Sequence, residues 1–202
     1  MAVKKLAKRG AEPVVENVRD RILSTARDLI YREGARAVGI DRIVAESGVA
    51  KMSLYRWFPS KDDLIVAVLH EERNRVLKAW DQNMERHKGA PLKQLRAQFE
   101  GLMAAIQRPN YRGCPFSNAV MTFADPVHPA RAVAREFKNE ITGRFRELAV
   151  AINAKDPDVL AQQLSLVADG AHVSGQCSGK DGPSTELITI VDALVAAQLS
   201  KR

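Results

Sequence analysis

The chain has 202 residues, 46% hydrophobic and 27% charged, which is enough apolar mass for a buried core and excludes wholesale disorder. Only 12 Gly and 9 Pro exclude a collagenous or low-complexity chain, and two cysteines exclude a disulfide scaffold. The net charge of +7 is uneven: residues 1–61 hold 13 Lys/Arg against 7 Asp/Glu, whereas residues 62–202 hold 18 against 17. A basic excess in the first third points to a polyanionic partner for that third.

Part of that excess is a tail, Lys4, Lys5, Lys8 and Arg9, expected as a solvated segment over residues 1–15 or as an arm reaching a minor groove. No apolar run follows it, so neither a signal peptide nor a membrane span is expected, and the chain reads as cytoplasmic with reduced thiols. Val15, Val18, Ile22, Ala26, Leu29 and Ile30 recur at helical spacing, predicting a helix over about 16–33 stopped by Gly34. Short helices follow over about 40–47 and 51–58, joined by a turn in which Gly48 can take a positive φ. Pro59-Ser60 breaks the second, and Ser60 with Asp63 resembles a capping box opening a long helix toward Met84.

Beyond Gly89-Ala90-Pro91 the pattern predicts a helix over 91–107, a loop over 108–115 and a short helix over 116–123. A long amphipathic helix then carries Val133, Phe137, Ile141, Phe145 and Leu148. Asp156-Pro157 is a strong start for the next, over 157–177, and the last spans 184–199. The expected fold class is all-α with about nine helices.

Residues 40–58 carry the functional signal. A short helix, a glycine turn and a second short helix make a helix-turn-helix arrangement, slim enough for its second helix to enter the major groove. On a helical wheel Leu54 and Phe58 point inward. Met52, Ser53 and Arg56 lie opposite, with Lys51, Tyr55 and Trp57 on the flanks.

In this stretch the sequence resembles the TetR/AcrR family of transcriptional regulators. The resemblance covers about residues 22–69. It rests on Ile22-Leu23-x-x-Ala26, Tyr31-x-x-Gly34, Ile43-Val44-x-x-Ser47-Gly48-Val49 and Leu54-Tyr55-x-x-Phe58-x-x-Lys61-x-x-Leu64. It implies a DNA-binding unit over 16–61 and a ligand-binding and dimerisation unit over 62–202. It assigns phosphate contacts to Tyr55 and Lys61, base reading to Lys51, Met52, Ser53 and Trp57, and a base or backbone contact to Arg56. Val38 stands where a helix-capping threonine is frequent, Met52 where glycine or proline is common, and Ser47 for a frequent alanine.

The resemblance further implies a homodimer on a palindromic double-stranded operator, paired through the last two helices. The apolar stripe Leu160, Leu164, Val167, Ala171, Leu187, Val191, Leu194 and Val195 suits that role, with Gly170, Ser174 and Gly175 small enough for close approach. It also implies a small-molecule inducer in the middle helices, for which Phe99, Met103, Phe116, Met121, Phe123, Phe137 and His172 are candidates, with methionines allowing adaptability.

No cofactor or metal is expected, and Asp169 with His172 supplies only two groups at i, i+3. Cys114, beside Arg112 at a helix start, reads either as a redox sensor or as a small packing residue. No nucleophile elbow, phosphate loop or H-E-x-x-H motif supports an enzyme. A ligand-released repressor is therefore the leading expectation, and a nucleoid or cell-division factor built on the same module is the alternative.

Overall fold

The computed structural model describes residues 17–199, which form nine α-helices, one 3-10 turn and no strand. The basic tail expected over residues 1–15 lies outside the described residues. The helices are α1 (Val18–Glu33), α2 (Ile40–Ser47), α3 (Lys51–Trp57), α4 (Lys61–Arg86), α5 (Pro91–Ile106), α6 (Pro115–Thr122), α7 (Pro129–Ala151), α8 (Pro157–Ser178) and α9 (Leu187–Leu199), with the 3-10 turn at Pro183–Glu186. The all-helical expectation holds. The largest boundary difference is the last helix, whose expected first turn is the 3-10 segment.

Local chemistry sets the boundaries. The Asn17 side chain accepts from Arg19 N–H to open α1. Ser60 and Asp63 form the reciprocal box that opens α4, with Ser60 Oγ accepting from Asp63 N–H at 3.1 Å and Ser60 N–H donating to Asp63 Oδ2 at 3.0 Å. Asp156 accepts from Val159 N–H to open α8, with Pro157 at the first helical position. Gly48 ends α2 in the left-handed region at φ 63°, ψ 28°, a conformation that costs glycine nothing.

Three apolar clusters organise the chain. The first joins Ile22, Leu23, Ala26 and Leu29 of α1 to Val38, Ile43, Leu54, Phe58, and to Leu64 and Val68 of α4. The second holds Trp80, Leu95, Phe99, Phe145, Leu148, Leu160, Leu164, Leu187 and Val191, drawn from α4, α5, α7, α8 and α9. The third lies between them and joins Ala35, Ile65 and Leu69 to Cys114, Phe116 and Phe137. Helix α4 contributes to all three and is the beam along which head and body are assembled.

One close approach fixes α8 against α5. A Cβ built on Gly175 meets Ile106 Cγ2 at 2.6 Å and Tyr111 Cε1 at 3.2 Å, so only glycine fits there. Gly143, on α7, faces open space. Gly175→Ala is expected to lower unfolding free energy in urea by about 1–3 kcal/mol through overpacking. Gly143→Ala is expected to raise it by about 0.5–1 kcal/mol through helix propensity. Equal effects of the two would refute the close-packing account.

Candidate nucleic-acid interface and interior cavity

Helix α3 is seven residues long and is held by Leu54, fully buried, and by Phe58 just past its end, 3% exposed. Isolated helices of this length are not stable in water, so burial of these two side chains is what orders it. The same burial turns the opposite face outward. Met52 is 80% exposed, and Tyr55, Arg56 and Trp57 also face solvent, while Ser53 is half-buried. Lys51 reaches back to the Asp41 carboxylate at 2.6 Å, which raises its pKa. Lys61, the first residue of α4, has its Nζ donating to Arg36 O at 3.5 Å. Six of the seven residues singled out in the sequence therefore lie on α3, and the seventh, Lys61, opens α4.

Behind α3, Arg42 of α2 bridges Glu33 of α1 at 2.5 Å and Glu46 at 3.0 Å, bracing the two supporting helices. Gly39 occupies the N-cap of α2 without a side-chain cap bond, and Val38 is fully buried in the head cluster. A capping hydroxyl is thus exchanged for apolar packing at this corner. Ser47 closes the turn with its hydroxyl donating to Val44 O at 3.3 Å.

The second candidate site is a cavity of about 1010 Å³ bounded by α1, α4, α5, α6, α7 and α8. Phe99, Phe116, Met121, Phe123, Phe137 and His172 line it, as do Tyr111 and Phe145, which sequence reasoning did not single out. Met103 instead packs against the body cluster. Met121 is 74% exposed and marks an opening at the end of α6. Cys114 is buried in the middle cluster at the N-cap of α6, and Cys177 is exposed.

Three pairs of polar side chains meet in the cavity wall. Tyr111 Oη and His172 Nδ1 lie 2.5 Å apart. Lys138 of α7 is paired with Asp169 of α8. Ser165 and Thr142 hydroxyls are 2.8 Å apart. Burial pushes the Tyr111 phenol well above its ordinary range. Burial, with the nearby Lys138 ammonium, pushes His172 down to about 4, so the imidazole is neutral. None of these pairings was legible in sequence, because Tyr111 lies 61 positions from His172.

A tether runs from this cavity to the head. The Tyr31 hydroxyl, on α1, accepts from Arg112 N–H at 3.0 Å and donates to Gly113 O at 3.4 Å, in the loop that leads into α6.

The stripe expected for subunit pairing faces inward. Leu160, Leu164, Ala171, Leu187, Val191 and Val195 are buried, and Val167 and Leu194 pack against the same core cluster. Gly175 makes its close approach within the chain, to Ile106 and Tyr111. Both faces of α8 carry apolar residues, and the chain's own core consumes the one with Leu160, Leu164 and Ala171. The outward large apolar residues are Val159, Leu166 and Val173, seven positions apart on α8, and Ile190 and Leu199 on α9.

Among the described residues no helix is long and apolar enough to cross a membrane.

Because the unfolded imidazole titrates near 6.5 and the folded one near 4, the unfolded chain takes up the proton first as pH falls. His172 is therefore expected to withdraw stability between those two values, by up to about 3 kcal/mol, and to leave it unaffected above pH 7. A His172→Gln variant should lose less melting temperature than wild type between pH 6.5 and pH 4. Parallel melting curves for the two would contradict the buried neutral state.

The comparisons with known proteins converge. The family model for bacterial regulatory proteins, tetR family, matches residues 22–68. The crystal structure of SCO4454, a TetR-family transcriptional regulator from Streptomyces coelicolor, is 30% identical, with 91% of this chain and 96% of that one covered at a TM-score of 0.86. The HTH-type transcriptional regulator YjdC of Escherichia coli (strain K12) is 23% identical over 153 residues, 75% of this chain and 80% of its own length. A TetR transcriptional regulator from Legionella pneumophila shares the fold at 19% identity and a TM-score of 0.79, covering 91% of this chain and all of that one.

Proposed function

The chain belongs to the TetR family of helix-turn-helix DNA-binding transcriptional regulators, a family of regulators and not of enzymes, and on that premise we propose that it is a repressor released by a small molecule. It binds a palindromic operator as a dimer, and the ligand occupies the interior cavity. The observation that carries the reading is the outward face of α3, where Met52, Tyr55, Arg56 and Trp57 are exposed on a helix pinned by Leu54 and Phe58.

In this reading α3 enters the major groove. Tyr55 and Lys61 contact phosphates, and Lys51, Met52, Ser53 and Trp57 meet base edges, with Arg56 on a base or the backbone. Lys51 exchanges its Asp41 partner for DNA, an inexpensive step for an exposed pair. The proposed DNA-binding unit covers residues 16–61 and the ligand and pairing unit residues 62–202. Leu64 and Val68 of α4 nevertheless complete the core of the first.

Pairing is proposed through the outward faces of α8 and α9. Leu166 is 75% exposed, and Val159, Val173 and Ile190 continue the apolar surface. A twofold dimer buries such a face against itself and places two α3 helices for two half-sites. Ligand release follows if the occupied cavity favours a dimer whose half-site spacing no longer fits. The Tyr31 tether and the middle cluster give cavity and head a shared boundary through which that bias acts.

Two outcomes test the reading. On a duplex selected by the wild-type protein, Tyr55→Phe and Lys61→Ala should each weaken binding, and Lys61→Ala should reduce the slope of log affinity against log salt by about 1. Wild-type affinity and slope in both would remove these contacts. In sedimentation, wild type should run as a dimer, and Leu166→Lys should shift it to monomer with loss of operator affinity. A monomeric wild type, or a dimeric Leu166→Lys, would refute the proposed pairing face.

A further inference from the structure

We infer that the cavity takes a flat, uncharged aromatic molecule bearing a strong hydrogen-bond acceptor, of the aryl-ketone kind, seated against the Tyr111–His172 pair. The inference rests on the reading of this cavity as the effector site and adds the chemical class of the effector.

The walls give the flatness. Phe116 and Phe137 lie 3.8 Å apart at 13°, and Phe99 and Phe145 lie 5.2 Å apart, also at 13°. All four rings line the cavity and are buried. The inner faces of each pair meet each other, so what they leave to the cavity is ring edges and an outer face, a thin aromatic border that a planar ligand extends by offset or edge-to-face contact.

The charges give the neutrality. Of the cations that line the cavity, Lys138 is paired with Asp169, Arg75 with Glu72, and Arg27 with Asp28 and Glu71. These pairs also account for the lining carboxylates Asp28, Glu72 and Asp169. Arg108 and Arg112 remain, both exposed on the loop at the rim. An anion or cation moving inside would shed its hydration without meeting an unpaired counter-ion.

Proton counting gives the acceptor. Thr142 donates to Lys138 O at 3.0 Å, so it accepts from Ser165, and both hydroxyl protons are spent. The Tyr111–His172 pair differs. With both groups neutral, two protons serve one shared hydrogen bond. If tyrosine donates to Nδ1, the imidazole keeps an Nε2–H. If the imidazole donates, tyrosine keeps its O–H. In either tautomer one donor stays without a side-chain or backbone partner on the cavity wall, open to an acceptor that enters the cavity. A carbonyl oxygen is the neutral group that answers such donors.

The test is calorimetric titration of the full chain with four probes on one skeleton: 2-acetylnaphthalene, 2-ethylnaphthalene, 2-naphthoate and 2-naphthylmethylammonium. The ketone is expected to bind about tenfold more tightly than the ethyl analogue, which lacks the acceptor oxygen, with both ions weaker still. His172→Leu should erase the ketone's advantage over 2-ethylnaphthalene. Tyr111→Phe, a gentler change, should reduce that advantage. Equal binding of ketone and ethyl probes, tightest binding by either ion, or no binding by any member would overturn the inference. Operator affinity measured beside each titration separates the two readings. An ion that binds tightest and releases DNA defeats the ligand class alone. A ketone that binds as expected and leaves DNA binding unchanged defeats the effector reading alone.

Discussion

The burial of Leu54 and Phe58 is the constraint from which the rest of the molecule takes its meaning. A seven-residue helix has too few internal hydrogen bonds to persist alone. Two buried side chains, each worth about 1.5–3 kcal/mol, hold it against α1 and the start of α4. Side-chain geometry then fixes its rotation. With positions 54 and 58 inward, Met52, Tyr55 and Arg56 have only solvent to face. An order-of-magnitude smaller anchor would leave the helix frayed, and a wider apolar stripe would bury the very residues that can meet another molecule.

Helix α4 transmits that arrangement to the body. Leu64 and Val68 close the head core, Ile65 and Leu69 enter the middle cluster, and Trp80 reaches the body cluster. The seam to α7 is charged: Arg73 meets Glu140 at 2.6 Å and Arg144 meets Asp81 at 2.6 Å. Polar contacts of this kind cost little to rearrange, whereas close-packed cores shift between discrete arrangements. In the proposed reading a ligand wedged among Phe116, Phe137 and Tyr111 would act on the middle cluster, which Ala35 and Ile30 of the head share. Only its differential affinity for two packings of that cluster moves the equilibrium at α3.

What could be read from sequence was what short-range chemistry decides. Ser60 with Asp63, and Asp156 with Pro157, mark their helices because a cap is a bond between neighbours. Leu54 and Phe58 were legible because four residues bring them to one face. The face proposed for pairing was not. Helix α8 carries Leu160 and Leu164 on one side and Val159 and Leu166 on the other, and local periodicity does not say which side the core takes. The cavity was legible only in its aromatic residues. Its polar geometry joins Tyr111 to His172 and Lys138 to Asp169 across helix boundaries, and no spacing rule reaches that far. Met103 packs on the body cluster and not in the cavity wall, a difference local sequence does not carry, because an apolar residue beside a cavity and one beside a core have the same sequence signature.

Methylation interference on a wild-type-selected duplex asks most directly whether α3 reads the major groove. Methyl groups at guanine N7 project into that groove and those at adenine N3 into the minor one. The account predicts that N7 methylation blocks binding at two symmetric clusters about one helical turn apart. Interference confined to adenine N3, or absent from both grooves, would contradict it.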